Sequence, residues 1–219
     1  MLGYLDMYRI LRKRFGYLNW WPGDTKDEII IGAILTQQTS WNNVEKAIEN
    51  LRKANSLDLR KIRVMELRKL RQLIRPSGFY RQKATRLRNL CSYIFSNYGT
   101  LDLFLGMGKE ELREKLLGLN GIGKETADSI VLYAAEKPLF VVDAYTRRIM
   151  NRVYGLGIDI EYDRLADMLS KQLGNNLKLY KDFHAQLVQL GKTYCKKQPI
   201  CGSCPLRVHC LYYKTHCSK

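Results

Sequence analysis

The chain has 219 residues, 46% of them hydrophobic with only five prolines, enough to bury a sizeable core in one or two globular domains. No apolar run approaches the roughly 20 residues of a membrane span, and the opening MLGYLDMYRILRKRFGY lacks the h-region and cleavage pattern of a signal peptide; a soluble, intracellular protein with no membrane partner is expected. Its 37 Lys and Arg against 21 Asp and Glu leave a formal charge of +16, which favours a polyanionic partner, because neutralising phosphates releases condensed counterions.

Charge selects a class of partner and leaves the chemistry open; the alternatives to a nucleic-acid partner are a solvated thermostable surface or ribosome association. Helical periodicity dominates along the chain and no period-2 alternation is sustained, so the fold class is expected to be all-α. All three tryptophans, Trp20, Trp21 and Trp41, lie near the start. Val44, Ala47, Ile48 and Leu51 make one helical stripe, Leu67, Leu70, Leu73 and Ile74 a second, and Ala127, Ile130, Val131 and Ala134 a third. Breaks fall at Trp21 to Gly23, Arg75 to Gly78, Gly106 to Gly108, Gly118 to Gly123, Lys137-Pro138, Tyr154 to Gly157 and Gly174 to Asn176. About ten short helices follow from that spacing. Cys91, in RLRNLCSYIF, reads as a buried small hydrophobe.

The stretch LNGIGKETAD places Gly121-Ile122-Gly123 just before a helix opened by Lys124. Two glycines permit positive φ and close backbone approach, and N–H groups at a following helix start favour an anion such as a single backbone phosphate. A plain helix-helix turn would look the same. The apolar run Leu139 to Val142 then delivers Asp143. A carboxylate among apolar neighbours is costly unless it is solvated in a cleft, partnered, or capping a helix; capping would also orient it.

Near the C-terminus Cys195, Cys201, Cys204 and Cys210 fall in a C-x5-C-x2-C-x5-C pattern. Such clustering in an intracellular chain points to metal rather than disulfides, and the donor set suits either an iron-sulfur cluster or zinc. Lys192, Lys196, Lys197 and Arg207 surround it, which suits a phosphate-facing loop; Cys217 reads as a tail thiol.

Leu119 to Ala127 followed by Val141-Val142-Asp143 resembles the helix-hairpin-helix and trailing catalytic aspartate of the endonuclease III superfamily of DNA glycosylases. Ile34 to Thr39 is similar to that family's early helix and its lesion-site glutamine, here Gln38, and the cysteine run to its 4Fe-4S loop, which more commonly has six residues in the first gap. The resemblance implies a two-domain helix-hairpin-helix glycosylase fold with an active-site cleft between the domains: residues 24–137 as a six-helix domain with the hairpin, and residues 1–23 with 138–219 carrying Asp143 and the cysteine loop. It further implies a 4Fe-4S cofactor on the four cysteines, damaged double-stranded DNA as partner, a monomer, and a prokaryotic-type cytoplasmic, nucleoid-associated location. Gly121, Ile122, Gly123, Lys124 and Gln38 would then be DNA contacts.

Bifunctional members of that family carry a lysine directly before the hairpin's Thr-Ala, where this chain has Glu125. A carboxylate forms no Schiff base, and Lys124 would sit about 100° round the helix, so a monofunctional enzyme using water is expected. Trp41 follows Gln38 by three residues, so the two share a face if the segment is helical. With Trp20 and Trp21 it would wall a pocket for a flipped, cationic base, with Glu125 shaping it. The Trp-Trp-Pro pair, the aromatic after LTQQTS and Glu125 look like the 3-methyladenine DNA glycosylase III branch, which excises alkylated purines; the cysteine loop departs from it. The alternatives are a glycosylase for uracil, mismatched thymine or an oxidised base, and a non-catalytic damage-binding module.

Overall fold

Residues 2–18 and 23–217 are described by a computed structural model. The described residues form thirteen α-helices, two short 3-10 turns (Arg75–Ser77 and Arg207–His209) and one π-helical turn (Ile130–Ala134), with no strand among them. The all-α class therefore stands. No helix among the described residues is long and apolar enough to cross a membrane.

The chain folds as two compact units, one of Trp21–Lys137 and the other of Met1–Trp20 with Pro138–Lys219. In the first, α2 (Lys26–Leu35) opens on Thr25, whose side chain accepts from the Glu28 N–H, a hydroxyl cap for one orphan donor. Its apolar run is buried on nearly every side, as befits a central helix. The α3 helix (Trp41–Lys53) buries Val44, Ala47, Ile48 and Leu51, the stripe read from the sequence. Next come α4 (Leu59–Val64) and α5 (Leu67–Leu73), then α6 (Tyr80–Asn97), α7 (Leu101–Gly106), α8 (Lys109–Leu117) and α9 (Lys124–Ser129). The helix count exceeds the sequence-based ten partly because α4 and α5 part at Met65-Glu66. Both residues have extended backbone there with neither glycine nor proline to announce it.

A second departure concerns the helix after the glycine turn. The stripe Ala127, Ile130, Val131 and Ala134 is buried, but so are Leu132 and Tyr133, and beyond Ser129 the winding loosens to π geometry. A segment apolar on all sides has no solvent face to phase it, and π turns recur at functional sites. In the other unit α1 (Tyr4–Phe15) packs on α11 (Tyr162–Leu173) and α12 (Leu177–Thr193), while α10 (Ala144–Tyr154) packs on α12 and on α13 (Leu211–His216). The Tyr8 hydroxyl donates to the buried Asp182 at 2.8 Å, fixing α1 to α12.

Candidate functional site

Asp143 is the N-cap of α10. Its backbone is extended, its Oδ1 accepts from the Thr146 N–H at 2.7 Å, and the residue is only 9% exposed. The run that delivers it is buried too: Phe140 packs edge-on to Tyr180 and Phe183 of α12, and the Val142 N–H donates to the Tyr162 hydroxyl. From α12, His184 Nε2 approaches Asp143 Oδ2 to 3.5 Å. That separation is at the long end for a hydrogen bond. Burial pushes the carboxyl pKa up; the imidazole and then the Thr146 N–H outweigh it and hold Asp143 below the usual aspartate range. At neutral pH the site holds a desolvated carboxylate, the form that stabilises developing positive charge.

In the other unit, the turn between α8 and α9 closes on an Ile122 N–H to Leu119 carbonyl bond of 3.1 Å, with Ile122 buried beneath it. Its two glycines differ in purpose. Gly121 has φ +84°, and a Cβ there would lie 2.2 Å from Arg86 Nε, whereas Gly123 is an N-cap of ordinary φ beside which a Cβ would meet nothing within 4 Å. Gly123 is exposed, whereas the Cβ position of Gly121 is filled by Arg86. Lys124 is half-buried and Glu125 exposed on the first turn of α9, and Arg113 of α8 ties to the buried Asp128 at 2.6 Å. Gln38 lies in the turn after α2 with φ +53°, exposed and outside any helix. Trp41 instead opens α3 and donates from Nε1 to Glu45 at 2.8 Å. The expected shared helical face of Gln38 and Trp41 is thus not formed, because α2 stops at Leu35. Trp20 and Trp21 lie outside the described residues.

Cys195, Cys201, Cys204 and Cys210 line one cavity with Ile149, Val153, Leu190, Tyr194 and Leu206. Arg148 donates from Nε to the Cys195 carbonyl at 2.7 Å, and Arg152 to the Lys196 and Lys197 carbonyls at 2.6 and 2.9 Å, so α10 holds the loop's backbone. Arg152 Nη1 also stands 3.4 Å from Cys195 Sγ. Burial first, then the neighbouring Cys217 thiol, lifts Cys201 to about 11, and burial lifts Cys204 to about 11. Cys217 thus sits beside the loop rather than apart from it. Among the described residues no three His, Cys, Asp or Glu side chains already converge to metal-holding geometry. Four soft donors on an apolar cavity fit a thiolate-held metal group. Cys91 is fully buried, with its thiol pushed up to about 12 by burial.

The geometry is that of an all-α fold with a glycine-bearing hairpin between α8 and α9 and a buried capping aspartate on α10. Residues 31–173 match the HhH-GPD superfamily of base excision DNA repair proteins. The chain belongs to that family and is a DNA glycosylase of base excision repair. A Methanocaldococcus jannaschii protein provisionally named as a DNA repair glycosylase is 44% identical over 207 residues, 94% of each chain. Endonuclease III of Thermotoga maritima is 30% identical over 187 residues, covering 85% of this chain and 83% of that one. Among solved structures, the Helicobacter pylori 3-methyladenine DNA glycosylase bound to 1,N6-ethenoadenine superposes with a TM-score of 0.78 at 34% identity, covering 87% of this chain and 98% of that one.

Several residues of the site carry no motif in the sequence. His184 is one of only three histidines, set inside the apolar helix YKDFHAQLVQLG. Gln37 and Arg86 become visible only through their contacts.

Proposed function

We propose that the protein is a monofunctional glycosylase that hydrolyses the N-glycosidic bond of alkylated purines such as 3-methyladenine, acting on a base flipped out of duplex DNA. The observation that carries this reading is Glu125, exposed at the start of α9 where bifunctional members carry their lysine nucleophile. The similarity to the H. pylori 3-methyladenine glycosylase supports the substrate class. An N-alkylated purine is cationic and leaves with the electron pair of the C1′–N bond as a neutral base, so little acid catalysis is required. Asp143 stabilises the oxocarbenium-like sugar left behind and orients the water whose oxygen bonds to C1′. Gly123 and Lys124 grip a backbone phosphate, Gln38 supports the extruded site, and Trp41 with Trp20 and Trp21 walls the base. Cys195, Cys201, Cys204 and Cys210 would hold a 4Fe-4S cluster, which when bound supplies a rigid anchor for the loop.

Release of free 3-methyladenine from methylated duplex DNA, compared between wild type and Asp143→Asn, tests the reading. Equal release by both overturns the role of Asp143, and no release by wild type overturns the substrate. The 28% identity over 228 residues to the thymine-DNA glycosylase of Aeropyrum pernix favours a second reading, in which the excised base is another lesion: uracil, mismatched thymine or an oxidised base. A panel of duplexes bearing alkylated, oxidised and deaminated bases separates the two.

A further inference from the structure

One polar network within the hairpin-bearing unit is built more tightly than a core requires, and Gln37 lies at its centre. Its Oε1 accepts from Arg86 Nη1 at 2.6 Å, while its Nε2 donates to the Gly121 carbonyl and to Thr126 Oγ1, each at 3.0 Å. Arginine is a pure donor, so the amide can face it only with its oxygen, and both N–H groups must then point to the hairpin. Both donors and the oxygen of this half-buried side chain are engaged by segments distant in the chain. Arg86 in turn lies across the α-carbon of Gly121, where any side chain would collide with it.

One turn earlier on α6, the fully buried Lys83 donates to the Leu35 carbonyl at 2.8 Å and to the Ser77 carbonyl at 2.7 Å. Lys83 and Arg86, three residues apart on one helical face, thus hold the end of α2 and the residue next to Gln38. Gln38 itself keeps φ +53°, a region in which a non-glycine residue persists only where its surroundings over-determine it.

We propose that Gln37 is a positioning residue that, with Arg86, couples the turn bearing Gln38 to the Gly121–Gly123 turn, so that the two approach DNA as one preorganised surface. The inference rests on the reading of those turns as DNA contacts, and it adds a residue that touches no DNA itself. Preorganisation lowers the ordering cost of binding, and two features acting through one unit are non-additive when mutated singly and together.

The experiment compares wild type, Gln37→Ala, Gln37→Glu, Gln38→Ala and the Gln37→Ala/Gln38→Ala pair. Gln37→Glu retains size and its contact to Arg86 but loses both donors to the hairpin. Hydrogen exchange without DNA is read at the Ile122 amide, and affinity is read on a duplex carrying an abasic-site analogue. We expect at least about tenfold faster exchange at Ile122 and about tenfold weaker binding in both Gln37 variants, with Gln38→Ala costing little more once Gln37 is gone. Unchanged exchange and binding in Gln37→Glu, or strictly additive effects in the double variant, overturns the proposal. Wild type that binds the analogue but releases no alkylated base would refute the substrate reading and leave this one standing. Wild type that binds no DNA refutes both.

Discussion

His184 on α12 faces Asp143 at the start of α10 across 3.5 Å, and the imidazole is the largest influence opposing the burial of that carboxyl. In the proposed mechanism Asp143 acts ionised, so base release should fall as pH drops through its depressed pKa. His184→Gln removes the opposing influence, raises that pKa and moves the acid limb of the pH–rate profile to higher pH. The same sign holds for stability: a depressed carboxyl contributes above its unfolded pKa, and the contribution is lost as pH falls through the folded value. Asp143→Asn should lower single-turnover release by at least about 10²-fold at neutral pH, the scale of removing one preorganised electrostatic group. An acid limb unmoved in His184→Gln would show that the pair does not set it.

Glu125 offers a test by gain of function. Glu125→Lys puts an amine where the lyase members of the family have theirs, able to attack C1′ and form a Schiff base that borohydride reduces to a stable protein–DNA adduct. Wild type should form no adduct and the variant should form one. The residue is exposed at the first turn of α9, where exchanging an acid for a base costs about 0.3–1 kcal/mol through the helix dipole. Adduct formation by wild type would remove the monofunctional assignment.

The cysteine loop predicts a colour and a composition. Purified protein should be brown, with iron and acid-labile sulfide in about equal amounts, and Cys204→Ser should lose both together with thermal stability. Stoichiometric zinc in place of iron would assign the loop as a structural zinc site.

Lys83 gives a prediction about pH and folding. Its amine is buried, and desolvation, aided by the nearby Arg86 charge, lowers its pKa to about 8. Between about pH 8 and the ordinary lysine value of about 10.4, the unfolded chain holds a proton that the folded chain has released, so this residue's contribution to stability rises with pH. Denaturant titrations should therefore show wild type gaining on Lys83→Met across that window. A constant difference would mean the amine titrates normally.

The parts of the fold that were legible in the sequence are those in which one residue type has one physical use. The stripe of Val44, Ala47, Ile48 and Leu51 became the buried face of α3, and the Gly118 to Gly123 break became the hairpin turn. The alternative of Asp143 as a helix cap was visible because aspartate before AYTRR has few other local uses. What stayed hidden depended on long-range partners. Nothing local separates Gln37 from Gln38, yet one is fastened by three distant groups and the other is exposed. The interruption at Met65-Glu66 has no breaker residue, and the π turn at Ile130–Ala134 arises where packing on all sides leaves helical periodicity nothing to select. Gly121 was read as access for a ligand; the Arg86 side chain that fills that space is far away in sequence.

The α10 helix joins two features that have no residue in common. Asp143 terminates it at one end, and further along Arg148 and Arg152 clasp the backbone of the cysteine loop. The helix is in effect a short lever with the proposed catalytic carboxylate at its tip and the loop as its fulcrum. Oxidative damage to the thiols would slacken that fulcrum and blunt base excision from behind, without altering any group that meets the nucleic acid.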